Sequence, residues 1–243
     1  VVIESTGVFR TGPQCQPHLD GGAKKVIISA PAKDVDGTFV MGINDGDYDS
    51  ATMNVISNAS CTTNCLAPMV RAILDSVGLE RGLMTTIHAY TNDQPVLDFA
   101  HSDLRRARAA ATNMIPTSTG AAAAIGLVIP EMKGKLDGYA MRVPTPTGSA
   151  TDLTFEMSRE GTAEEINAAF KAASESGALA GKLVYTEDPI VSSDIVTSPA
   201  SVTIDALSTK VIGRTAKVLG WYDNEWGYSN RLIDISELVG NSL

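Results

Sequence analysis

Ser60-Cys61-Thr62-Thr63-Asn64-Cys65 brings together residue types able to do covalent chemistry. A strand-like run, Met53 to Ser57, precedes it. Apolar residues at Leu66, Met69, Val70, Ile73, Leu74 and Val77, spaced by threes and fours, follow it. The pattern predicts a helix over 61–77 with Cys61 in its first turn. Free backbone N–H groups and the positive end of the helix dipole gather there. That setting favours the thiolate, which is the nucleophilic form of cysteine, and the same N–H groups suit an anion or a developing oxyanion. The plain alternative is a buried, inert thiol. Cys65, one turn on, either resolves an oxidised Cys61 or, more simply, packs into the core.

A thiol nucleophile working near pH 7 needs a base. The chain has three histidines. His18 and His101 fall in polar, turn-like contexts, whereas His88 ends a strand-like run from Leu83 to Tyr90. Strand, helix and strand in succession read as a βαβ unit, which would bring the residues after Ile87 to the turn that holds Cys61.

Other residues suit an anionic ligand. Thr91 and Asp93 follow His88. Arg105, Arg106 and Arg108 are expected on one helix capped by Ser102. Thr119 and Gly120 open an alanine-rich helix, Gly120 to Val128. Arg142 sits inside an apolar strand, where its guanidinium needs a partner: a bound phosphate or an internal carboxylate.

The elements that position these groups follow from pattern. The first sixty residues alternate strands (Val1–Ser5, Lys25–Ala30, Phe39–Ile43, Met53–Ser57) with Gly, Pro and Asp turns. Pro68 falls within the predicted nucleophile helix, where it should bend it. Thr162 to Glu165 reads as a capping box, and Gly177 ends that helix. Strands are expected at Tyr139–Pro144, Thr151–Ser158, Lys182–Thr186, Ser201–Ala206 and Lys210–Tyr222, then a closing amphipathic helix from Ser229 to Val239. The fold class expected is α/β: a partial Rossmann-type nucleotide-binding domain (1–60 with the C-terminal helix, 224–243) plus an α+β catalytic domain (61–223) with a mostly antiparallel sheet.

Composition excludes several classes. A chain of 243 residues with 44% hydrophobic residues can bury a full core. No apolar run is long enough to span a membrane, and no signal peptide is visible. A net charge of −9 without a basic run argues against nucleic acid. Three cysteines make no disulfide scaffold and suit a reducing, cytoplasmic setting. Cys61 and Cys65 lack a second ligand pair, so no metal site is expected. The chain opens within an apolar run, Val1-Val2-Ile3, so a preceding N-terminal segment is expected.

Six stretches in order resemble phosphorylating glyceraldehyde-3-phosphate dehydrogenases: Glu4-Ser5-Thr6-Gly7-Val8-Phe9, Lys25 to Pro31, Ser57 to Pro68, Ile115 to Gly120, Met141 to Thr145 and Trp221 to Ser229. The resemblance covers essentially the whole chain. It implies that Cys61 adds to an aldehyde, with His88 handling the proton. Hydride then passes to NAD, and inorganic phosphate attacks the thioester to release 1,3-bisphosphoglycerate. Thr91 and Arg142 would hold the phosphate of glyceraldehyde 3-phosphate. Ser60, Thr62, Thr119, Gly120 and Arg105 would hold the attacking phosphate. Thr6, Gly7, Ser29, Asn224 and Tyr228 would contact NAD. The resemblance also implies a cytoplasmic homotetramer, with the loop around Asp93 to Arg108 reaching a neighbouring subunit. Departures exist: the family's glycine-rich turn is absent, Phe99-Ala100 replaces a common Leu-Pro that bears on NAD versus NADP, and Ala123 replaces a lysine. An erythrose-4-phosphate dehydrogenase, a non-catalytic surface or scaffold protein, and a Cys-His hydrolase remain as other readings.

Overall fold

A computed structural model describes residues 1–243. Short β-branched runs separated by turns build a four-stranded, all-parallel sheet from β1 (Val2–Glu4), β2 (Val26–Ile28), β3 (Gly37–Thr38) and β4 (Val55–Ser57), in the order β1-β2-β4-β3. A five-residue helix, α1 (Gln16–Asp20), lies between β1 and β2. Parallel strands need cover on both faces. Val26, Ile28 and Val55 pack with Cys15 on one face. Ile27 and Ile56 pack on the other with Phe39, Ile235 and Val239.

The chain then enters α2 (Cys61–Leu74), which crosses to a second sheet. Eleven of its fourteen residues are buried. It therefore reads as apolar nearly all round, as a helix packed on several sides must. The helix runs unbroken through Pro68. The second sheet has seven strands: β5 (Arg81–Ala89), β6 (Ile115–Ser118), β7 (Leu136–Val143), β8 (Ser149–Glu156), β9 (Leu183–Thr186), β10 (Val202–Ile212) and β11 (Thr215–Tyr222). Their order is β6-β7-β5-β8-β11-β10-β9, and four of the six pairings are antiparallel. One face is covered by α2, α3 (Ala121–Val128) and α4 (Ala163–Glu175), around a core that includes Leu66, Met69, Ile73, Ile125, Phe155 and Phe170. The closing helix α5 (Trp226–Asn241) returns to the parallel sheet, to which it contributes Ile235 and Val239.

Several sequence expectations need correction. The strand–helix–strand run at 53–90 is not a βαβ unit, because β4 and β5 belong to different sheets. Residues 39–44 turn instead of continuing a strand, with Asn44 Oδ1 accepting from the Val40 N–H. Residues 102–108 form turns, not a helix, because Asp103 Oδ1 accepts from the N–H groups of Arg105 and Arg106. The β10–β11 hairpin turns at Gly213 (φ 58°), with a register shift inside β10 between Asp205 and Lys210. Hence β10 runs through to Ile212. β6 was not expected at all. Ser229 does not cap α5; Asp223 Oδ1 accepts from the N–H groups of Glu225 and Trp226 and starts the helix earlier. Thr162 caps α4 as expected, accepting from the Glu165 N–H.

Candidate active site

The nucleophile turn is held from several sides. Ser60 is the N-cap of α2, its Oγ accepting from the Thr63 N–H at 3.0 Å. Ala59 has φ 56°, a left-handed conformation that costs a non-glycine residue about 1 kcal/mol. Two side chains hold it there. The Tyr228 hydroxyl donates to the Ala59 carbonyl at 3.0 Å, and Asn64 Nδ2 donates to the carbonyls of Asn58 and Ser60. Strain fixed by its surroundings in this way is common where a reactive group must be aimed.

Cys61 Sγ lies 3.4 Å from His88 Nε2. The imidazole Nδ1 lies 2.7 Å from the Ala89 carbonyl and 2.5 Å from Arg142 Nη1; in the tautomer that donates to the carbonyl, Nε2 is the lone-pair nitrogen facing sulfur. Arg142 pairs with His88 across the β5–β7 register, and its Nη1 donates to the same carbonyl at 2.9 Å. Beneath them the Tyr222 hydroxyl lies 2.8 Å from both Thr62 Oγ1 and Thr86 Oγ1, and its ring stands edge-on to His88 with centroids 5.9 Å apart.

The electrostatics differ from the sequence expectation of a preformed thiolate. Burial pushes the Cys61 thiol up, against the opposing pull of the Thr62 hydroxyl, Arg142 and the backbone N–H groups of Thr62 and Cys61. Burial, and then the Arg142 charge, push His88 down to about 4. The resting pair is thus a thiol facing a neutral imidazole, ready for proton transfer as sulfur attacks. Cys65 is fully buried against Met69 Sδ and the Gly220 carbonyl, and burial raises it strongly. That is the inert packing role.

Arg142 has no carboxylate partner, and its buried Nε donates to nothing. Of the two partners posed for it, the internal carboxylate is absent. Among the arginines at 105–108, Arg105 points to solvent and Arg106 turns inward. Arg106 Nε donates to Thr117 Oγ1 at 2.7 Å, Nη2 to the Ser118 carbonyl and Nη1 to Asp93, and its charge bears on Arg142. The expectation for Arg105 therefore moves to Arg106. Sequence could not choose between them, because the choice depends on a turn and not on helical periodicity. Thr62 is also altered. It is only 4% exposed, and its hydroxyl is engaged by Tyr222. The Ser60 hydroxyl is engaged in capping. Thr119 Oγ1 accepts from the Ala121 N–H, and Gly120 is the α3 N-cap, so both stand at a helix start. Thr91 lies two residues past the end of β5.

Three of the cofactor-contact candidates, Thr6, Gly7 and Ser29, lie at the carboxyl ends of parallel strands. Register pairs Glu4 with Ile28 and Ile28 with Ser57, so Ser5, Ser29 and Asn58 come next in line. Nucleotides bind at such ends in open parallel sheets. Thr6 and Gly7 are exposed there, and Ser29 is half-buried. The Thr6 hydroxyl and N–H both donate to Glu4 Oε1. Both amide atoms of Asn58 are buried without a partner in the protein, an arrangement that fits a polar ligand at this edge. Asn224 is 6% exposed, and its Oδ1 accepts from Ser149 Oγ at 2.8 Å. Tyr222 and Ser149 were missed by sequence reasoning; Tyr222 lay within a stretch read only as strand and motif.

Residues 60–224 match the family model for the glyceraldehyde 3-phosphate dehydrogenase C-terminal domain. The chain belongs to the glyceraldehyde-3-phosphate dehydrogenase family. It is 64% identical to glyceraldehyde-3-phosphate dehydrogenase 2 of Streptomyces avermitilis, with all of the chain and 72% of that protein covered. The corresponding enzyme of Streptomyces coelicolor is 63% identical, with 100% of the chain and 73% of the relative covered. That of Mycobacterium tuberculosis is 64% identical, with 100% and 71% covered. The chain is thus a glycolytic oxidoreductase that uses NAD. No helix is long and apolar enough to cross a membrane.

Proposed function

We propose that this site oxidises glyceraldehyde 3-phosphate through a covalent thioester on Cys61 and then transfers the acyl group to inorganic phosphate, giving 1,3-bisphosphoglycerate. The observation that supports it best is the 3.4 Å approach of Cys61 Sγ to Nε2 of His88, beside an arginine without a carboxylate. Cys61 adds to the aldehyde carbon while Nε2 takes the thiol proton. The first-turn N–H groups of α2 then face the carbonyl oxygen as negative charge develops on it. NAD, when bound, supplies the acceptor for the hydride that leaves the resulting hemithioacetal. Phosphate oxygen then adds to the thioester carbonyl, the C–S bond breaks to release the acyl phosphate, and His88, now protonated, returns its proton to the departing sulfur.

Arg142, with Thr91, holds the phosphate of the substrate. Arg106, with the α3 start at Thr119 and Gly120 and with the backbone N–H groups of the first turn of α2, holds the attacking phosphate. Thr6, Gly7, Ser29, Asn224 and Tyr228 hold the cofactor, with Asn224 and Tyr228 at its nicotinamide end. Residues 1–60 with 224–243 form the nucleotide half, and 61–223 the catalytic half. A homotetramer is supported by the open face of the large sheet, where Leu83 and Tyr139 are exposed, and by Val96, Leu97, Phe99 and Leu104 on the loop before β6. The setting proposed is the cytoplasm.

Mass spectrometry of the protein quenched after aldehyde and NAD but without phosphate tests the reading. A mass increase of one acyl group on Cys61 is expected, lost on adding phosphate. Acylation elsewhere, or none, would sink it. A panel including erythrose 4-phosphate separates the sister reaction.

A further inference from the structure

Away from the thiol, a buried hydrogen-bond relay runs through Ser149, and nothing in the chemistry above uses it. Ser149 begins β8 and is wholly buried. Its Oγ accepts from the Ala89 N–H at 3.1 Å, one residue past His88. Its own proton must go to an acceptor, and the one within reach is Asn224 Oδ1, at 2.8 Å. A carboxamide whose oxygen is committed in this way has only one orientation. Its Nδ2 has no partner in the protein and is not sealed from solvent. The backbone around it is equally fixed. The Asp223 carboxylate accepts from the Thr147 hydroxyl and from the N–H groups of Thr197, Glu225 and Trp226, and it has no cation beside it. Thr197 is held at φ 67°, a strained position for a β-branched residue.

We propose that Ser149 is the positioning residue that fixes the orientation of the Asn224 amide, so that Asn224 presents its NH2 group and selects a carbonyl acceptor, the carboxamide oxygen of the nicotinamide. This rests on the assignment of Asn224 to the cofactor. The relay ties that contact to the strand carrying the base, because Ala89 supplies its N–H to Ser149 and its carbonyl to His88 and Arg142. Cofactor and base are thereby indexed to one residue, Ala89. A serine is suited to the task because one hydroxyl can accept and donate at once.

The test is a double-mutant cycle read by calorimetric titration of NAD onto the full chain. Ser149→Ala is expected to weaken binding by about threefold to tenfold, the range for a neutral hydrogen bond. In an Asn224→Ala background the same substitution should cost nothing further. An equal loss in both backgrounds, or no loss in the first, overturns the relay while leaving Asn224 as a cofactor contact. An Asn224→Ala protein that binds NAD as tightly as the parent overturns the assignment of Asn224, and the relay with it. The unsubstituted protein offers a second readout that does not depend on a variant folding. An NAD analogue with acetylpyridine in place of nicotinamide keeps the carbonyl and lacks the amide NH2. It should bind within about threefold of NAD; a loss of tenfold or more, about 1.4 kcal/mol, means that Asn224 presents its oxygen instead.

Discussion

Cys61 and Cys65 lie one turn apart on the same helix, the first half-buried and the second fully buried, and only one is placed to react. Cys65 faces a methionine sulfur and a backbone carbonyl, neither of which can take its proton usefully or stabilise its anion. Cys61 faces a neutral imidazole nitrogen, the first-turn N–H groups and an uncompensated guanidinium. A single helical step of ~1.5 Å per residue over four residues carries the thiol from an apolar core to the junction of two sheets. Reactivity in this protein is therefore a property of the helix end and not of the residue type. Burial acts on both thiols in the same direction; what differs is what opposes it, a lone hydroxyl of Thr151 at Cys65 against a hydroxyl, a guanidinium and backbone N–H groups at Cys61.

The contrast can be broken most severely at the nucleophile. Cys61→Ala should remove acyl-enzyme formation altogether, whereas Cys65→Ala should leave turnover within a few-fold; comparable losses from both would mean that the helix-end argument is wrong. Next in size is the base. His88→Asn should lower the acylation rate by ~10²–10⁴-fold, the usual contribution of a positioned base, with KM for the aldehyde little changed in steady-state assays.

The anion pocket should show the opposite pattern. Arg142→Ala is expected to raise KM for the phosphorylated aldehyde by ~10–100-fold, the loss of a charge-assisted hydrogen bond, while an unphosphorylated aldehyde should be affected far less. If both aldehydes suffer equally, Arg142 serves His88 and not the substrate phosphate.

Smaller effects come from titration. The folded state holds His88 down to about 4 against an ordinary 6.5. Between those values the unfolded chain binds the extra proton, so stability falls as pH drops through this window, by ~3 kcal/mol in all if no other group offsets it. His88→Asn should flatten that part of a denaturation-versus-pH curve. The thiol shift runs the other way. Alkylation of Cys61 by neutral iodoacetamide should still be climbing above pH 8, and a plateau on the acid side of neutrality would mean that a thiolate–imidazolium pair exists at rest.

Much of this was readable along the chain. Helical spacing after Ser60 put Cys61 in a first turn, and α2 does begin at Cys61. The apolar strand around Arg142 announced a guanidinium in need of an anion, and no carboxylate answers it. What failed did so where local pattern is silent about distant partners. A strand, a helix and a strand look alike whether the strands join one sheet or two, and here β4 and β5 join different ones. Arg105 and Arg106 are equivalent by composition, and only the turn closed by Asp103 decides which faces inward. Thr62 looked free for an anion because its partner, Tyr222, is 160 positions away.

The order of residues alone determined the helix-end setting of Cys61, the proposed nucleophile, because capping and periodicity act over a few residues. It also carried the family, through six motifs in register. Tertiary structure alone decided the burial that raises the thiol and lowers the imidazole, the inward turn of Arg106, and the contacts of Ser149 with Ala89 and Asn224. Burial and hydrogen-bond geometry arise only when segments far apart in the chain exclude water together.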